Sequence, residues 1–579
     1  MGPVSKAGWV DRVKSLFLTG DGGSDEEVEV GSGTYELLPP SELYQNEEDD
    51  NALSPPPLLP SNIPEPLPTA AQAKCLCRIP AQVPWTAYTI ALVELAERAS
   101  YYGVGGLFPN FVQRPLPPGG PGTGAPPPGS QITPGALGMG LQVSTALSVI
   151  FNLLAYMTPL AGGMLADMRW GKFKTIAVGT GIAGIAHILS VYAALPYVLQ
   201  NGGAFVPFLL ALLLLGGSAG MIKANIAPIM AEQYTSTEDY VRTLRDGEKV
   251  IVDREATIQR VMSAYYGSIN VGAFLAILST FAEKYVGFWL AFLIPGVIFL
   301  LMPILLHLVH PHLVPSTPPS SSALIENYHQ ARRLLASSRG GQPRFPERED
   351  ADDNRDDEAA KLIEACKFFA FFIVYNIADG GLNALVTSLT GSMTTNGIPN
   401  DFLGHANPLV IVIAIPALNR YVYPYLSSRR IPFGPVRRVV VGFLLAAAGM
   451  AWSALIQHAV YKTSPCGNQA TTCEEGSGVS PLSAWLILPA PILSGLSESL
   501  AVVSAMEIGY MMSPPSLRSI INSLFLFMQA ISSALVLVFL PIMRDPYLVW
   551  PFGITTVITL VATWGVWRMF KYLDDDHRL

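Results

Sequence analysis
The chain has 579 residues, of which 50% are hydrophobic and only 14% charged, and its mean hydropathy is +0.36. Soluble globular chains carry about 25% charged residues, so this composition is that of a polytopic membrane protein, and the formal net charge of -8 argues against nucleic acid as a partner. There is no GxxxxGK followed by Ser or Thr to cradle ATP phosphates, no HExxH, no His and Cys cluster at metal spacing and no GxSxG elbow. No cofactor or metal is expected, and an enzymatic reading has nothing to rest on.

Residues 1–80 are rich in Ser, Pro, Asp and Glu and lack the apolar core of a cleavable signal, so they are expected to form a disordered cytosolic tail. Apolar runs long enough to span a bilayer then recur near 84–113, 138–165, 173–199, 205–232, 259–282 and 287–309. After a polar stretch, 310–360, which contains PSTPPSSS and EREDADDNRDDE, six more follow near 361–390, 405–426, 435–460, 483–512, 517–542 and 548–571. The expected organisation is an all-α membrane protein of twelve transmembrane helices. A six-helix bundle at 84–309 and another at 361–571 are joined by a cytosolic linker at 310–360, and a short cytosolic tail covers 572–579.

The first span carries ELAERASYYG, residues 94–103. Glu94, Glu97 and Arg98 fall at i, i+3 and i+4 and share one helix face. A charge at mid-bilayer costs roughly 2.5 to 3.5 kcal/mol on insertion scales, and such residues face a polar cavity or one another. One Glu and one Arg would make a neutral structural pair. The second Glu leaves a carboxylate over, able to take up and release a proton. Between the second and third spans, GGMLADMRWGKFKTI sets Asp167, Arg169 and Lys172 on a turn suited to controlling conformational change.

In the fourth span, Lys223 sits deep among apolar residues. It either snorkels to an interface or, if buried, needs a carboxylate partner such as Glu94 or Glu498. The fifth span adds Tyr265, Tyr266 and Asn270, which can act as interhelical glue. Asp379, flanked by Gly380 and Gly381 in the seventh span, is either a functional charge or the mark of a kinked turn. The tenth span holds Glu498 near its middle and Glu507 nearer its end, where an interfacial salt bridge or a cap is expected.

Basic residues orient the chain. Arg169, Lys172 and Lys174, then Arg242, Arg245, Lys249 and Arg254, then Arg332 and Arg333, then Arg429, Arg430, Arg437 and Arg438 lie in alternate loops, while Arg114, Lys284, Lys462 and Arg544 are nearly all that the opposite loops hold. The positive-inside bias places both termini in the cytosol. It also places the loop with Cys466 and Cys473 outside, where a disulfide can form. Six plus six helices with a cytosolic middle loop is the plan of a transporter whose halves alternately expose a midplane site; a twelve-helix enzyme or receptor remains the rival.

Beyond these readings, the ExxERxSYYG motif resembles that of the proton-dependent oligopeptide transporter family of the major facilitator superfamily. The likeness recurs in order through GGMLADMRWGKFKTI, GMIKANIAPIMAEQY, YYGSINVGAF, NPLVIVIAIP and ESLAVVSAMEIGYMMSP. The long acidic tail resembles the fungal branch. The resemblance implies the major facilitator fold and import of di- and tripeptides by proton symport. It implies that Glu94, Glu97 and Arg98 couple protons together with Lys223 and Glu498, and that Lys223 engages the peptide carboxylate while Glu498 holds the amino end. Tyr101, Tyr102, Tyr156, Asn270 and Asn407 match positions that line the peptide pocket. The sequence departs from bacterial members at Gly105, where an Arg pairs with an acid on the seventh helix, so Asp379 lacks that partner in the gate; Lys172 stands where an Arg is frequent. The expected partners are small peptides, protons and the lipid bilayer, with the chain a monomer in the plasma membrane. Some relatives move nitrate or other metabolites, and a non-transporting nutrient receptor is a further alternative.

Overall fold
Inside a bilayer, backbone polar groups must be satisfied within their own segment, which leaves the helix as the spanning unit of so apolar a chain. The computed structural model describes residues 76–574 except 237, 245, 246, 248, 315–348, 430, 474, 476, 477 and 513–517. Nearly all of the expected tail at 1–80 and most of the 310–360 linker therefore lie outside the described residues, as do residues 575–579.

Among the described residues twelve long helical segments run in series. In the first half they are α1 (Trp85–Gly105), α2 (Gly140–Leu165), α3 (Lys172–Ala193), α4 (Phe205–Ala231), α5 (Arg254–Leu275) and α6 (Phe288–Phe299). A short helix, Phe108–Gln113, prolongs α1, while α5 continues as Ile277–Tyr285 and α6 as Leu301–Val309. In the second half they are α7 (Glu349–Asn376), α8 (Ala406–Ala417), α9 (Pro435–Thr463), α10 (Pro489–Met512), α11 (Arg518–Val538) and α12 (Val549–Phe570). Ten of the twelve include stretches long and apolar enough to cross a membrane; α1, with its three charges, and α11 fall outside that set.

Two findings correct the expected boundaries. The polar run EREDADDNRDDE is expected in the linker, yet α7 begins at Glu349, since Glu and Ala are good helix formers and acidic residues, Asp included, are favoured in a helix's first turns by its dipole. The tail was drawn to residue 80, but β1 (Arg78–Pro80) pairs in parallel with β3 (Lys249–Asp253), which pairs antiparallel with β2 (Tyr240–Thr243). The Arg78 guanidinium fastens this sheet through Asp239 at 3.3 Å and Asp253 at 3.0 Å. Strands this short, joined across the whole first half, leave no local periodicity to detect.

Lipid tails are as apolar as the side chains, so packing rather than hydrophobic exclusion holds such helices together. Each half has its own aromatic core, with Phe111 against Phe288 at 5.0 Å in the first and Phe372 against Phe443 at 5.2 Å in the second. Small residues set the closest crossings. A Cβ on Gly220 of α4 would lie 2.0 Å from Thr158 Oγ1 and 2.5 Å from its carbonyl carbon in α2, and one on Gly495 of α10 would lie 2.8 Å from the Asn407 carbonyl oxygen in α8. Lys223 stands three residues beyond Gly220, and Glu498 three beyond Gly495. The two halves thus use the same device to bring a charged residue to the centre.

A disulfide joins Cys466 and Cys473, with 5.5 Å between their Cα atoms, and defines what we call the disulfide end of the molecule. Here Met393–Thr394 pairs with Ser480–Ser483. Among the described residues, side-chain hydrogen bonds between the two halves gather at this end. Asn110 and Asn400 exchange bonds of 2.9 Å, Gln113 Nε2 donates to Ser388 Oγ at 2.7 Å, and Tyr285 Oη donates to the Gly397 carbonyl at 2.6 Å. The seam between the halves is therefore shut at the disulfide end.

The crossing at Gly220 makes a direct test. Overpacking of a close contact costs about 1–3 kcal/mol, so Gly220→Val should lower the Tm of the purified protein by several degrees and weaken function, while Gly217→Val, whose added Cβ meets nothing within 4 Å, should leave Tm nearly unchanged.

Candidate functional site
Helix α1 delivers the expected cluster. The Arg98 Nε lies 2.7 Å from Glu94 Oε1 and 2.8 Å from Glu97 Oε2, and the three side chains are 5%, 0% and 4% exposed. Two carboxylates share one guanidinium, and Glu94 Oε2 has no hydrogen-bond partner of its own. Behind the cluster, Ser100 Oγ and His187 Nε2 of α3 are 2.5 Å apart, with the ring packed on Phe299 of α6.

Lys223 does not meet a carboxylate. Its Nζ stands over the rings of Tyr101 and Tyr156, 3.9 and 4.6 Å from their centroids, and among the described residues it forms no ion pair. The expectation that burial would pair it with Glu94 or Glu498 is corrected by this arrangement: Arg98, on the same helix face, already occupies Glu94. Cation–π contact substitutes, worth about 0.5–2 kcal/mol depending on desolvation. Glu94, Glu97, Arg98 and Lys223 remain one electrostatic group whose formal charges cancel.

Tyr101 is itself held. Its hydroxyl donates to Asn152 Oδ1 at 3.2 Å, and its ring stacks on Phe151 at 4.8 Å and meets Tyr102 edge-on at 5.3 Å. In α5, the Asn270 amide donates to the Tyr266 carbonyl at 3.0 Å, a bond within its own helix.

The second half contributes carboxylates without a matching cation in contact. Ser494 Oγ donates to Asp379 Oδ1 at 2.8 Å, and Asn407 Nδ2 donates to Ser494 Oγ at 2.8 Å. Asn407 also bonds Glu498, and Asp379 acts on Glu498 electrostatically. Asp379 lies in a single π turn, Ile377–Gly381, that interrupts α7, so the two readings of this residue combine: the kink is what turns the carboxylate toward α10. π turns of this kind often accompany functional sites.

The remaining sequence candidates sit apart from this centre. Lys172 forms a salt bridge with Glu232, tying the start of α3 to the end of α4. Arg169 is exposed on a π turn, Ala166–Trp170, and the Asp167 side chain lies outside the described residues. Glu507 pairs with Arg438 at 3.1 Å, the interfacial bridge expected for it.

A family model described as the POT family matches residues 173–558. The chain belongs to the POT family. Among its relatives, the MFS-type transporter ucsM of Acremonium sp is 40% identical over 88% of this chain and 87% of its own length. The peptide transporter PTR2 of Candida albicans is 34% identical, covering 88% of this chain and 86% of its own. A solved structure described as an auto inhibited POT family peptide transporter superposes with a TM-score of 0.64 at 17% identity, over 84% of this chain and 97% of that one. The POT family transporter PepTSo gives 0.63 at 17% identity, over 85% and 99%. The fold is accordingly that of these transporters, twelve helices in two six-helix bundles within the membrane.

Gly105 is the position at which the sequence reading expects a departure from bacterial members. A Cβ there would lie 3.2 Å from Phe151 Cε1, so the Phe151 ring occupies the space toward which a side chain at 105 would extend. Asp379 has instead become the acceptor of Ser494. Ser494 and Asn152 were missed in the sequence, although each lies four residues before a recognised site residue, Glu498 and Tyr156, and so on the same helix face. His187 was missed because a single histidine in an apolar span has no periodic signal.

Removing the shared cation should be costly. Breaking a buried ion pair on one side costs about 3–5 kcal/mol, so Arg98→Gln should sharply lower Tm, whereas Arg98→Gln combined with Glu94→Gln should recover part of the loss in the same thermal unfolding measurement.

Proposed function
We propose that this POT family member is a proton-coupled symporter that imports di- and tripeptides by alternating access. What supports the reading most directly is the polarity of the centre: an ammonium without an ion pair, Lys223, rests on aromatic rings in the first half, and paired carboxylates, Glu498 and Asp379, stand in the second. A zwitterionic peptide has one charge for each. Its carboxylate on Lys223 and its ammonium on Glu498 would draw the halves together, with Tyr101, Tyr102, Tyr156, Asn270 and Asn407 bounding the space between.

Proton coupling is assigned to Glu94, Glu97 and Arg98. A proton taken by one of the two carboxylates removes a negative charge beside Lys223, so the ammonium becomes the uncompensated group and attracts the peptide carboxylate. Loss of that proton on the other side restores the balance and weakens the hold. Each positive charge moved inward gains about 2.3 kcal/mol per 100 mV of membrane potential. The disulfide end is taken as extracellular and both termini as cytosolic, in agreement with the basic loops and with a disulfide formed in an oxidising compartment. The protein is taken to function as a monomer in the plasma membrane, and the closed seam at the disulfide end supports a state shut to the outside. The salt bridge of Lys172 with Glu232 and the turn at Asp167 and Arg169 belong to the cytosolic gate, and Asp379 to the opposite one.

A second reading, transport of another small metabolite, draws on the ucsM relative, whose name specifies no peptide. In proteoliposomes, wild-type protein should concentrate labelled dipeptide only under an inward proton gradient, and excess nitrate should not compete; competition by nitrate would favour the second reading. Glu97→Gln should abolish concentrative uptake while leaving counterflow of labelled dipeptide intact. Glu498→Ala should raise KM about tenfold to a hundredfold, the equivalent of losing one hydrogen bond to a charged group; an unchanged KM would remove Glu498 from the amino-end role.

A further inference from the structure
The seam at the disulfide end buries a group of charges that the transport centre does not use. Glu283, near the end of Ile277–Tyr285, is 1% exposed and accepts one bond, from Asn110 Nδ2 at 2.6 Å; its Oε2 has no partner. Asp401, from the second half, is 8% exposed, and no neighbouring side chain donates to its carboxylate, which leans only on its own backbone N–H. Asn110 also exchanges bonds with Asn400, the residue before Asp401, and the two acids act on each other electrostatically. Lys284 is the nearest cation to act on both, but its Nζ is spent on Thr395 Oγ1 at 3.1 Å and the Ile398 carbonyl at 2.7 Å.

Other titratable groups face the pair from each neighbouring element. Arg114 follows the helix that carries Asn110; a Cβ on Gly391 would touch both its Nη2 and Asn400 Nδ2, at 3.0 and 3.2 Å, its Nε and Nη2 have no hydrogen-bond partner, and the carboxylate that acts on it is Asp545 rather than Glu283 or Asp401. Tyr285 donates to Gly397, and His405, a turn beyond Asp401, bonds the Ala273 backbone. None of these supplies a donor to the unpartnered carboxylate oxygens. With both acids ionised, the seam would bury two negative charges against one lysine and leave those oxygens bare, an arrangement costing several kcal/mol. A proton on either acid removes one charge and supplies an O–H donor.

We propose that Glu283 and Asp401 form a second proton-binding site, distinct from the Glu94, Glu97 and Arg98 cluster, that holds the disulfide end of the seam shut while protonated and lets it part once both carboxylates ionise. Parting of the halves admits water, which solvates both carboxylates and returns the proton to the same side. The site therefore gates without carrying charge across the membrane. The sign follows from Asp401, which burial pushes up to about 7 from an ordinary value near about 3.9 in water. The shut seam binds more protons than the open one between those values, so it is stabilised as pH falls through that range and loses the stabilisation as pH rises through about 7. This gate rests on the transporter reading for its physiological meaning, but its titration can be measured independently of transport.

The test uses the full chain in lipid nanodiscs, with Cys75, Cys77 and Cys366 replaced by Ser and spin labels on Asn201→Cys and Gln469→Cys, one in each half at the disulfide end. Pulsed dipolar distances measured from pH 5 to pH 8 should show the ratio of shut to open populations falling by at least about tenfold, the effect of a one-unit pKa difference between states. Asp401→Asn or Glu283→Gln should reduce that change to less than about twofold, whereas Glu97→Gln should retain it. A wild-type ratio independent of pH, or full pH dependence in both Asp401→Asn and Glu283→Gln, overturns the proposal. Dipeptide uptake by the same labelled protein reports separately on the transport reading, because a protein that titrates its seam but moves no dipeptide leaves the gate standing and removes the transporter.

Discussion
One guanidinium held between two carboxylates in the middle of an apolar helix is the constraint on which the rest depends. Arg98 cannot leave Glu94 and Glu97 without exposing buried charge, so helix α1 is committed to facing the centre, and the helices packed on it must accommodate that face. Because Arg98 occupies Glu94, Lys223 is left to aromatic rings instead of a carboxylate. An ammonium held by cation–π contact keeps its charge available to an incoming anion, which an ion pair would not.

The second half answers with the opposite sign and a different kind of restraint. Asp379 and Glu498 are positioned by neutral donors, Ser494 and Asn407, so neither carboxylate is neutralised by a neighbouring cation. The electrostatic asymmetry between halves is what a zwitterionic substrate would exploit. Close crossings at Gly220 and Gly495 place Lys223 and Glu498 by equivalent means, so the pseudo-symmetry of the fold extends to the geometry of the centre while the charges are inverted.

Much of this was legible in the chain. Span number and order followed from apolar length, and the grouping of Glu94, Glu97 and Arg98 followed from helical spacing. What was illegible depended on contacts between distant segments. The strand at Arg78–Pro80 exists only because Lys249–Asp253 lies beside it. The expected carboxylate partner for Lys223 was wrong because a residue's partner is decided by which competitor reaches it first. Ser494 and Asn152 were within reach of a periodicity argument, four residues from Glu498 and Tyr156, but polar side chains on an apolar helix do not announce which neighbour they serve. Asp379 was ambiguous between charge and kink because a π turn supplies both.

By itself, then, the sequence determined that this is a membrane protein of two six-helix sets with charges buried in the first, fourth and tenth spans, Lys223 of the fourth opposite in sign to Glu498 of the tenth, since insertion energetics and helical periodicity act locally along the chain. Only the tertiary structure decided that Lys223 rests on Tyr101 and Tyr156, that Ser494 and Asn407 position the second-half carboxylates, and that Glu283 and Asp401 are both buried at the seam. Those pairings are set by which helices cross closely, and that choice is made in packing, where residues hundreds of positions apart come to compete for the same donors.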